Sequence, residues 1–228
     1  MDLKLVLISD THGKHDQLGG LPEGDVLVHA GDWSMMGTRQ AALEFIEWFA
    51  AQPHPHKVLI AGNHDWIAEK QPHTFLGMMP LSIRYLNDSG CEIKGVRFWG
   101  SPVQPWFHDW AFNRARGEDI KRHWDMIPED TDVLVTHGPA MYHGSVTQEG
   151  GDEVGCEDLL LAIKRIRPQV HVCGHIHEGY GQWELQHADG TSTTLVNASV
   201  VNRRYQVANA PVCVTVRGCH AEDEEEVL

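Results

Sequence analysis

Acidic and imidazole side chains follow the first apolar segment of the chain. Residues 5–8 read Leu-Val-Leu-Ile, and Asp10, His12 and Gly13 come directly after them. Carboxylates and imidazoles are side chains that bind metal ions, and here a single residue lies between them. The same pattern also occurs as a turn next to a surface histidine, so this motif alone leaves both interpretations open.

The same kind of ending follows four further apolar segments, and together the endings supply eight candidate ligands: Asp10, His12, Asp32, Asn63, His64, His137, His175 and His177. They offer nitrogen and oxygen but no thiolate, which suits manganese, iron or zinc better than calcium or a structural zinc site. Eight residues exceed the need of one ion. They favour two ions about 3.5–4 Å apart, the arrangement of phosphatases and nucleases.

The elements that carry these residues are predicted as short strands and amphipathic helices. We expect buried strands over residues 5–9, 25–30, 57–61, 132–136 and 170–173, and helices over 38–51, 117–126 and 156–166. Strands that alternate with helices indicate a largely parallel sheet, and ligands bind beyond the carboxyl ends of such strands. The endings should therefore meet.

The rest of the chain is less regular. We expect strands over 83–86 and 91–99 to form an antiparallel meander, and strands over 182–186, 193–198 and 212–217 to close a second sheet. Residues 100–114 form a long aromatic loop, which indicates either a functional segment or a structural plug. We predict one domain over residues 1–220 and an acidic tail over 221–228.

Composition limits the classes of function. The 228 residues carry a formal charge of −14, which argues against general binding to nucleic acid, since such binding needs a basic surface. The five cysteines are scattered and form no Cys-x-x-Cys pair, which indicates reduced thiols. No run of about 18 apolar residues and no leader pattern are evident. We expect a soluble, cytoplasmic protein with no membrane contact.

The ordered motifs Asp-x-His, Gly-Asp, Gly-Asn-His-Asp, His-Gly and Gly-His-x-His together resemble the calcineurin-like metallophosphoesterase superfamily. The resemblance covers Leu3 to about Ala198. Ser101-Pro102, Pro105-Trp106-Phe107 and the run over 174–181 are similar to its metallophosphoesterase domain-containing branch, which is linked to hydrolysis of cyclic nucleotides and other phosphodiesters. The implied fold is α/β, with two packed mixed sheets flanked by helices in a four-layer α/β/β/α sandwich.

The resemblance also implies roles for the candidate ligands. Asp10, His12, Asp32 and His177 would hold one divalent ion, and Asp32, Asn63, His137 and His175 the other, manganese being expected, with iron or zinc as alternatives. A hydroxide bridging the ions would attack phosphorus while His64 protonates the leaving oxygen. Asn63 and Asp65 complete the predicted catalytic group, with Asp65 orienting His64. Because both His175 and His177 are present, we expect both metal positions to be filled.

The expected partner is a small phosphodiester or nucleotide. Trp106, Phe107 and Trp110 could stack on a base, and Arg114 or Arg116 could meet a phosphate, although the aromatic side chains could instead pack between the sheets. After Gly31-Asp32 the chain continues as Trp33-Ser34, without the second aspartate and the arginine of Ser/Thr protein phosphatases. A phosphomonoesterase or nuclease, and a non-catalytic nucleotide-binding scaffold, remain alternatives.

Overall fold

Two β-sheets packed face to face, with helices on their outer surfaces, form the fold. The structure, a computed structural model, describes residues 2–147 and 151–218. Its strands in chain order are β1 Asp2–Ile8, β2 Val26–Ala30, β3 His56–Ile60, β4 Ile83–Tyr85, β5 Ser89–Ile93, β6 Val96–Ser101, β7 Gln104–Pro105, β8 Asn113–Arg114, β9 Val133–Thr136, β10 Val170–Cys173, β11 Gly181–Gln186, β12 Ser192–Asn197 and β13 Val212–Arg217. The α-helices are α1 Arg39–Ala51, α2 Trp66–Lys70, α3 Pro72–Leu76, α4 Glu118–Asp125 and α5 Glu157–Ile166, and 3-10 turns lie at His15–Leu18 and His177–Gly179.

Each sheet has parallel strands at its centre. The first sheet has the strand order β13-β1-β2-β3-β4, and the second has β11-β12-β10-β9-β6-β5, while β7 and β8 form a separate pair. In the first sheet β1, β2, β3 and β4 run parallel, and in the second β6, β9, β10 and β12 do. Because central parallel strands are covered on both faces, β2 and β9 consist of buried residues throughout.

Three apolar clusters fill the spaces between the layers. Between the sheets, side chains such as Leu5 and Val28 of the first pack with Val135 and Val172 of the second. Phe45 and Phe49 of α1 pack on the outer face of the first sheet. Helices α4 and α5 cover the outer face of the second sheet. The layer order is therefore α/β/β/α, and the predicted fold class is confirmed.

The predicted helices are present with small differences at their ends. Helix α1 begins after Thr38, whose hydroxyl accepts a hydrogen bond from the Ala41 amide at 3.2 Å, as an N-cap residue should. Helix α5 begins after Cys156, whose sulfur accepts from the Leu159 amide. The short helices α2 and α3 were not predicted. Among the described residues, no helix has both the length and the apolar character needed to cross a membrane.

Two predicted strand pairings are wrong. The strand at Ile83–Tyr85 does not form a meander with the next one; it lies parallel to β3 in the first sheet. The segment over 91–99 is a hairpin of β5 and β6 that turns at Lys94 and Gly95. The last strand, β13, pairs antiparallel with β1 of the first sheet and does not close the second.

The assignment of residues 1–220 to one domain stays a prediction, and the predicted tail over 221–228 lies outside the described residues.

Candidate metal centre

The carboxyl ends of five parallel strands meet at one edge of the two sheets. Strands β1, β2 and β3 bring Asp10, Asp32 and Asn63, and strands β9 and β10 of the second sheet bring His137 and His175. Direct hydrogen bonds join the two sheets here. The His175 amide donates to both oxygens of Asp10 at 3.1 and 3.0 Å, and a ring nitrogen of His137 donates to the Ala30 carbonyl at 3.0 Å.

The first group of ligand atoms comes from Asp10, His12 and His177, whose side-chain donors all lie within 4.8 Å of one another. The Nε2 atoms of His12 and His177 are 3.2 Å apart, and Oδ1 of Asp10 lies 3.7 Å from Nε2 of His177. The Nδ1 atom of His12 lies 3.2 Å from the Ser34 carbonyl oxygen, which can only accept. Nδ1 of His12 must therefore carry a proton, which leaves the Nε2 lone pair of the neutral ring facing the cluster.

The second group contains Asp32, His137 and His175, with Asn63 beside them. The Nε2 atom of His137 lies 3.3 Å from Oδ2 of Asp32 and 2.9 Å from Oδ1 of Asn63. Nδ1 of His137 donates to a carbonyl, as the free nitrogen of metal-bound histidines commonly does. Two oxygens thus converge on one imidazole nitrogen, and a proton or a metal cation is what satisfies such a set.

Asp32 belongs to both halves of the cluster. Its Oδ2 atom lies 3.3 Å from His137 and 3.7 Å from His12, and 4.0 Å from Nε2 of His64. His12, Asp32 and His64 form a third set of ligand atoms within 4.8 Å. The shared carboxylate is the feature that a site for two neighbouring cations requires.

The charge states suit cations. Burial raises the pKa of Asp10 and Asp32, but the surrounding histidines outweigh it and hold both values below the ordinary range. Burial lowers the pKa of His12 to about 4, and burial together with His137 lowers that of His175 to about 3. The cluster therefore combines two carboxylates with neutral imidazoles at His12 and His175. At His137 and His177 burial also lowers the pKa, but the neighbouring carboxylates outweigh it: Asp32 raises the pKa of His137 to about 9, and Asp10 raises that of His177 above its ordinary value. A metal would compete with the protons on these two rings.

The backbone at these ligands is unusual. Asp10, His12, Asp32 and His175 all have positive φ, between 44° and 65°, a region that side chains other than glycine rarely adopt. Such conformations cost about 1–3 kcal/mol each and concentrate at functional sites. Glycine is needed at Gly174, where an added Cβ would overlap Oδ2 of Asp10, and at Gly62, where it would overlap Oδ1 of Asp32. These contacts explain why glycine accompanies the ligand residues.

Asp65 supports the loops that carry the ligands. Its Oδ2 atom accepts hydrogen bonds from the amides of Gly62 at 2.8 Å and Trp33 at 3.3 Å, and its Oδ1 atom accepts from the amide and hydroxyl of Ser34. The expected contact with the His64 ring is wrong, because Nδ1 of His64 instead donates to the Met35 carbonyl at 2.8 Å. Asp65 is therefore a positioning residue for the turns after β2 and β3.

The sequence profile of the calcineurin-like phosphoesterase family matches residues 3–179, which contain every one of these candidate ligands. The chain belongs to the calcineurin-like phosphoesterase family. It is 38% identical over 234 residues to metallophosphoesterase domain-containing protein 1 of Homo sapiens and of Mus musculus, covering 92% of this chain and 70% of each relative. A UPF0046 protein of Caenorhabditis elegans is 37% identical over 225 residues, with 92% and 74% covered.

Solved structures share the fold at low sequence identity. The crystal structure of TT1561 of Thermus thermophilus aligns with a TM-score of 0.59 and 14% identity, covering 95% of this chain and 100% of that one. At this identity the likeness concerns the architecture alone. The two-sheet sandwich is therefore shared with that protein.

The aromatic loop of this metallophosphoesterase reaches the candidate metal centre only in part. A cavity of about 330 Å³ opens over the cluster and is lined by Phe107, whose ring centre lies 6.0 Å from that of His175. Trp110 packs against His64 at 4.1 Å between ring centres. Trp106 is 63% exposed and lies further out, in a pocket with Trp66 and Trp110. The loop thus forms one wall of the site.

The two predicted phosphate-binding arginines lie elsewhere. Arg114 donates to His123 at 2.9 Å and to the Asn113 carbonyl, and Arg116 donates to the carbonyls of Gly155 and Val154. Both side chains tie loops together and are absent from the described residues that line the cavity. The arginine that does line it is Arg203.

Tyr205 is a second residue that the sequence reasoning missed. Its ring lies edge-on to His12 at 4.8 Å and to His177 at 5.2 Å, and it lines the cavity over the cluster. Both Arg203 and Tyr205 follow the last recognised motif, and no spacing or apolar pattern marks them. Only the folding of this segment back over β1 and β10 brings them to the site.

Proposed function

We propose that the protein is a dinuclear-metal-dependent phosphohydrolase that cleaves small phosphodiesters, cyclic nucleotides among them. The observation that carries this proposal is the position of His64 beside a cluster in which Asp32 is shared. Nε2 of His64 lies 4.0 Å from Asp32, at the edge of the ligand set and facing the same cavity. The metal ligands and the proton donor would then face the same phosphoryl group of a bound substrate.

The ligand residues divide into two sets around Asp32. Asp10, His12, Asp32 and His177 would hold one cation, and Asp32, Asn63, His137 and His175 the other. Two divalent cations, when bound, would supply an activated water and neutralise charge on the phosphoryl oxygens. The nitrogen and oxygen donors support manganese, with iron and zinc as further candidates. Both positions should be filled, since every ligand residue is present.

His64 has the geometry of a general acid. Its Nδ1–H is held by the Met35 carbonyl, so the ring cannot rotate away without losing that hydrogen bond. In the imidazolium form Nε2–H points towards Asp32 and the cavity, from which it can transfer a proton to the leaving ester oxygen. Asp65 keeps the turn in place through Gly62 and so acts on His64 only indirectly.

The size and walls of the cavity support a small substrate. About 330 Å³ is near the lower end of the range for small-molecule sites, and it suits one phosphoryl group with part of its ester arms. Phe107 lines the cavity and offers an aromatic surface to an arm that carries a ring, while Trp110 packs against His64. The charge of −14 supports a small phosphodiester over long nucleic acid.

The proposed location is the cytoplasm. The cysteines in the described part of the chain, Cys91, Cys156, Cys173 and Cys213, are all free thiols, which is typical of a reducing compartment. Fractionation of cells that express a tagged full chain would test the location.

The test of the reaction class is a comparison of diester and monoester hydrolysis. Protein reconstituted with Mn²⁺ should hydrolyse bis-p-nitrophenyl phosphate faster than p-nitrophenyl phosphate, and it should turn over 2′,3′- or 3′,5′-cyclic nucleotides. Preference for the monoester would identify a phosphomonoesterase, and cleavage of polymeric DNA or RNA a nuclease. No turnover of any ester with both metals bound would leave a nucleotide-binding scaffold.

A further inference from the structure

A second pocket adjoins the metal centre on the side of His177. It has a volume of about 730 Å³ and shares His177, Glu178 and Arg203 with the cavity over the cluster, so the two cavities lie side by side. Its remaining walls include Tyr180, Asn202 and Arg204. A pocket of this volume is large enough for a substrate arm of nucleotide size.

The turn over residues 202–206 is firmly held against the metal centre. The Asn202 side-chain oxygen accepts from the amides of Arg204 at 2.9 Å and Gln206 at 3.1 Å, and Val201 pairs with Val207 across the base of the turn. At its end Tyr205 has a φ of 56° and packs its ring on His12. The two arginines therefore start from a backbone whose position is set by the ligand residues.

The pocket carries two cationic side chains although the protein as a whole is acidic. Of the described residues, Arg203 and Arg204 both line it, together with the acidic Glu178. Nε of Arg203 lies 3.5 Å from the Glu178 carboxylate, which holds this guanidinium where the two cavities adjoin. Arg204 adds a second guanidinium to the same pocket, and arginine suits phosphate oxygens in particular.

The position of His64 indicates where each of the two ester arms of a bound diester lies. The arm that leaves must have its oxygen near His64, whose other neighbour is Trp110. Trp110 also lines a separate pocket with Trp66 and Trp106. The second pocket, which we call the arginine pocket, has His177 but not His64 among its lining residues. The arm that stays on phosphorus therefore has the arginine pocket open to it.

We infer that the arginine pocket binds the retained arm of the substrate and recognises a second phosphate on that arm. The inference rests on the proposed phosphodiesterase function and extends it to a substrate class. The expected substrates are diesters with an aromatic leaving arm and a retained arm that carries an additional phosphate. Arg204 is the residue that binds this phosphate, beside Arg203, whose guanidinium lies against Glu178.

The test compares two chromogenic substrates that differ by one phosphate: thymidine 5′-(p-nitrophenyl phosphate) with and without a 3′-phosphate. For the Mn²⁺-loaded wild-type protein, the 3′-phosphate should lower KM by about tenfold or more, the usual contribution of a charge-assisted hydrogen bond. Arg204→Ala should abolish this preference, and Arg204→Gln should do the same with a smaller change in side-chain volume. Arg122→Ala, on the exposed face of α4, is the matched control and should keep the preference.

A binding measurement separates failure of this inference from failure of the proposed function. By titration calorimetry, thymidine 3′,5′-bisphosphate should bind about tenfold tighter than thymidine 5′-monophosphate, and Arg204→Ala should remove the difference. Equal KM values or equal affinities for the two members of each pair in the wild-type protein would overturn the inference. Absence of hydrolysis with the affinity difference retained would contradict only the phosphodiesterase function.

Discussion

The Nδ1 atom of His64 lies 2.8 Å from the carbonyl oxygen of Met35, and this contact leaves Nε2 directed at the metal-ligand cluster. Met35 follows the turn that carries Asp32, so the proposed shared ligand and the proposed acid belong to one connected loop structure. The His64 amide strengthens this connection by donating to Oδ1 of Asp32 at 2.8 Å.

Replacement of the His64 ring should separate its catalytic role from metal binding. We expect His64→Ala to lower kcat for bis-p-nitrophenyl phosphate by about 10²–10⁴-fold, the usual contribution of general acid catalysis. Metal content, measured by mass spectrometry of the purified protein, should be unchanged. His73→Ala, an exposed histidine on α3, is the control and should retain full activity. Loss of a metal in His64→Ala would instead make His64 a ligand.

Asp32 should control both metal positions. Asp32→Ala removes a carboxylate common to both sets of ligands, so the bound metal should fall from about two equivalents to fewer than one. Asp10→Ala, which removes a ligand of one set, should leave about one equivalent. Asp152→Ala, at an exposed position, should retain the wild-type content. Equal losses in Asp10→Ala and Asp32→Ala would contradict the shared role of Asp32.

Asp65 should matter for stability as well as for turnover. In Asp65→Asn an amide replaces one acceptor oxygen, so an NH₂ group faces N–H or O–H donors that have lost their partner. We expect the free energy of unfolding to fall by about 2–3 kcal/mol and metal affinity to weaken, because the turns after β2 and β3 loosen. Urea unfolding with and without Mn²⁺ measures both effects. Asp16→Asn, at an exposed site, should be neutral; an unchanged unfolding free energy in Asp65→Asn would refute the positioning role.

His171 should make stability depend on acid pH. The Thr136 hydroxyl donates to the Gly138 carbonyl and accepts from Nε2 of His171 at 2.8 Å. The buried Nδ1 of the neutral ring therefore has no acceptor for a proton within residues 2–147 and 151–218. Burial, with a contribution from His143, lowers the pKa of His171 to about 3. The unfolded chain binds this proton near pH 6.5 and the folded chain does not. The stabilising contribution is therefore complete above about pH 6.5 and is lost as pH falls towards 3.

The measurement for His171 is urea unfolding of metal-free protein at about pH 7 and about pH 4.5. In His171→Gln, which keeps a donor for Thr136 but does not titrate, the decline in stability should be smaller by up to about 1.4 kcal/mol per pH unit. His73→Gln should follow the wild-type decline. Parallel curves for His171→Gln and the wild-type protein would show that His171 does not contribute.

Local patterns predicted most of the strand endings, since the boundary of an apolar segment is visible in the chain itself. Asp10, Asp32, His137 and His175 were expected at the carboxyl ends of parallel strands, and the structure brings them together there. Their metal-binding roles stay predictions. The sheet predicted for β13 was wrong, because no local feature of the sequence decides which sheet edge a terminal strand joins.

The orientation of side chains in the turns could not be predicted either. His64 and Asp65 are neighbours in sequence, yet the turn directs the imidazole into the cavity and the carboxylate towards Gly62 and Ser34. Arg114 was expected at the site for its charge, but it meets His123. Arg203 holds the cationic position at the cavity instead.

The sequence by itself determined most of the strands, the three longer helices and the set of candidate ligands: the apolar periodicity and the glycine spacing indicate the strands, and the residue types at their ends predict a site for divalent cations. The tertiary structure alone decided which ring nitrogens face the cluster, which arginine reaches the cavity, and how Tyr205 lies on His12. The physical reason is the distance along the chain over which each kind of interaction acts. Hydrogen bonding and apolar periodicity act over a few residues, whereas the site joins segments from opposite ends of the chain, and only the packing of the two sheets brings those segments together.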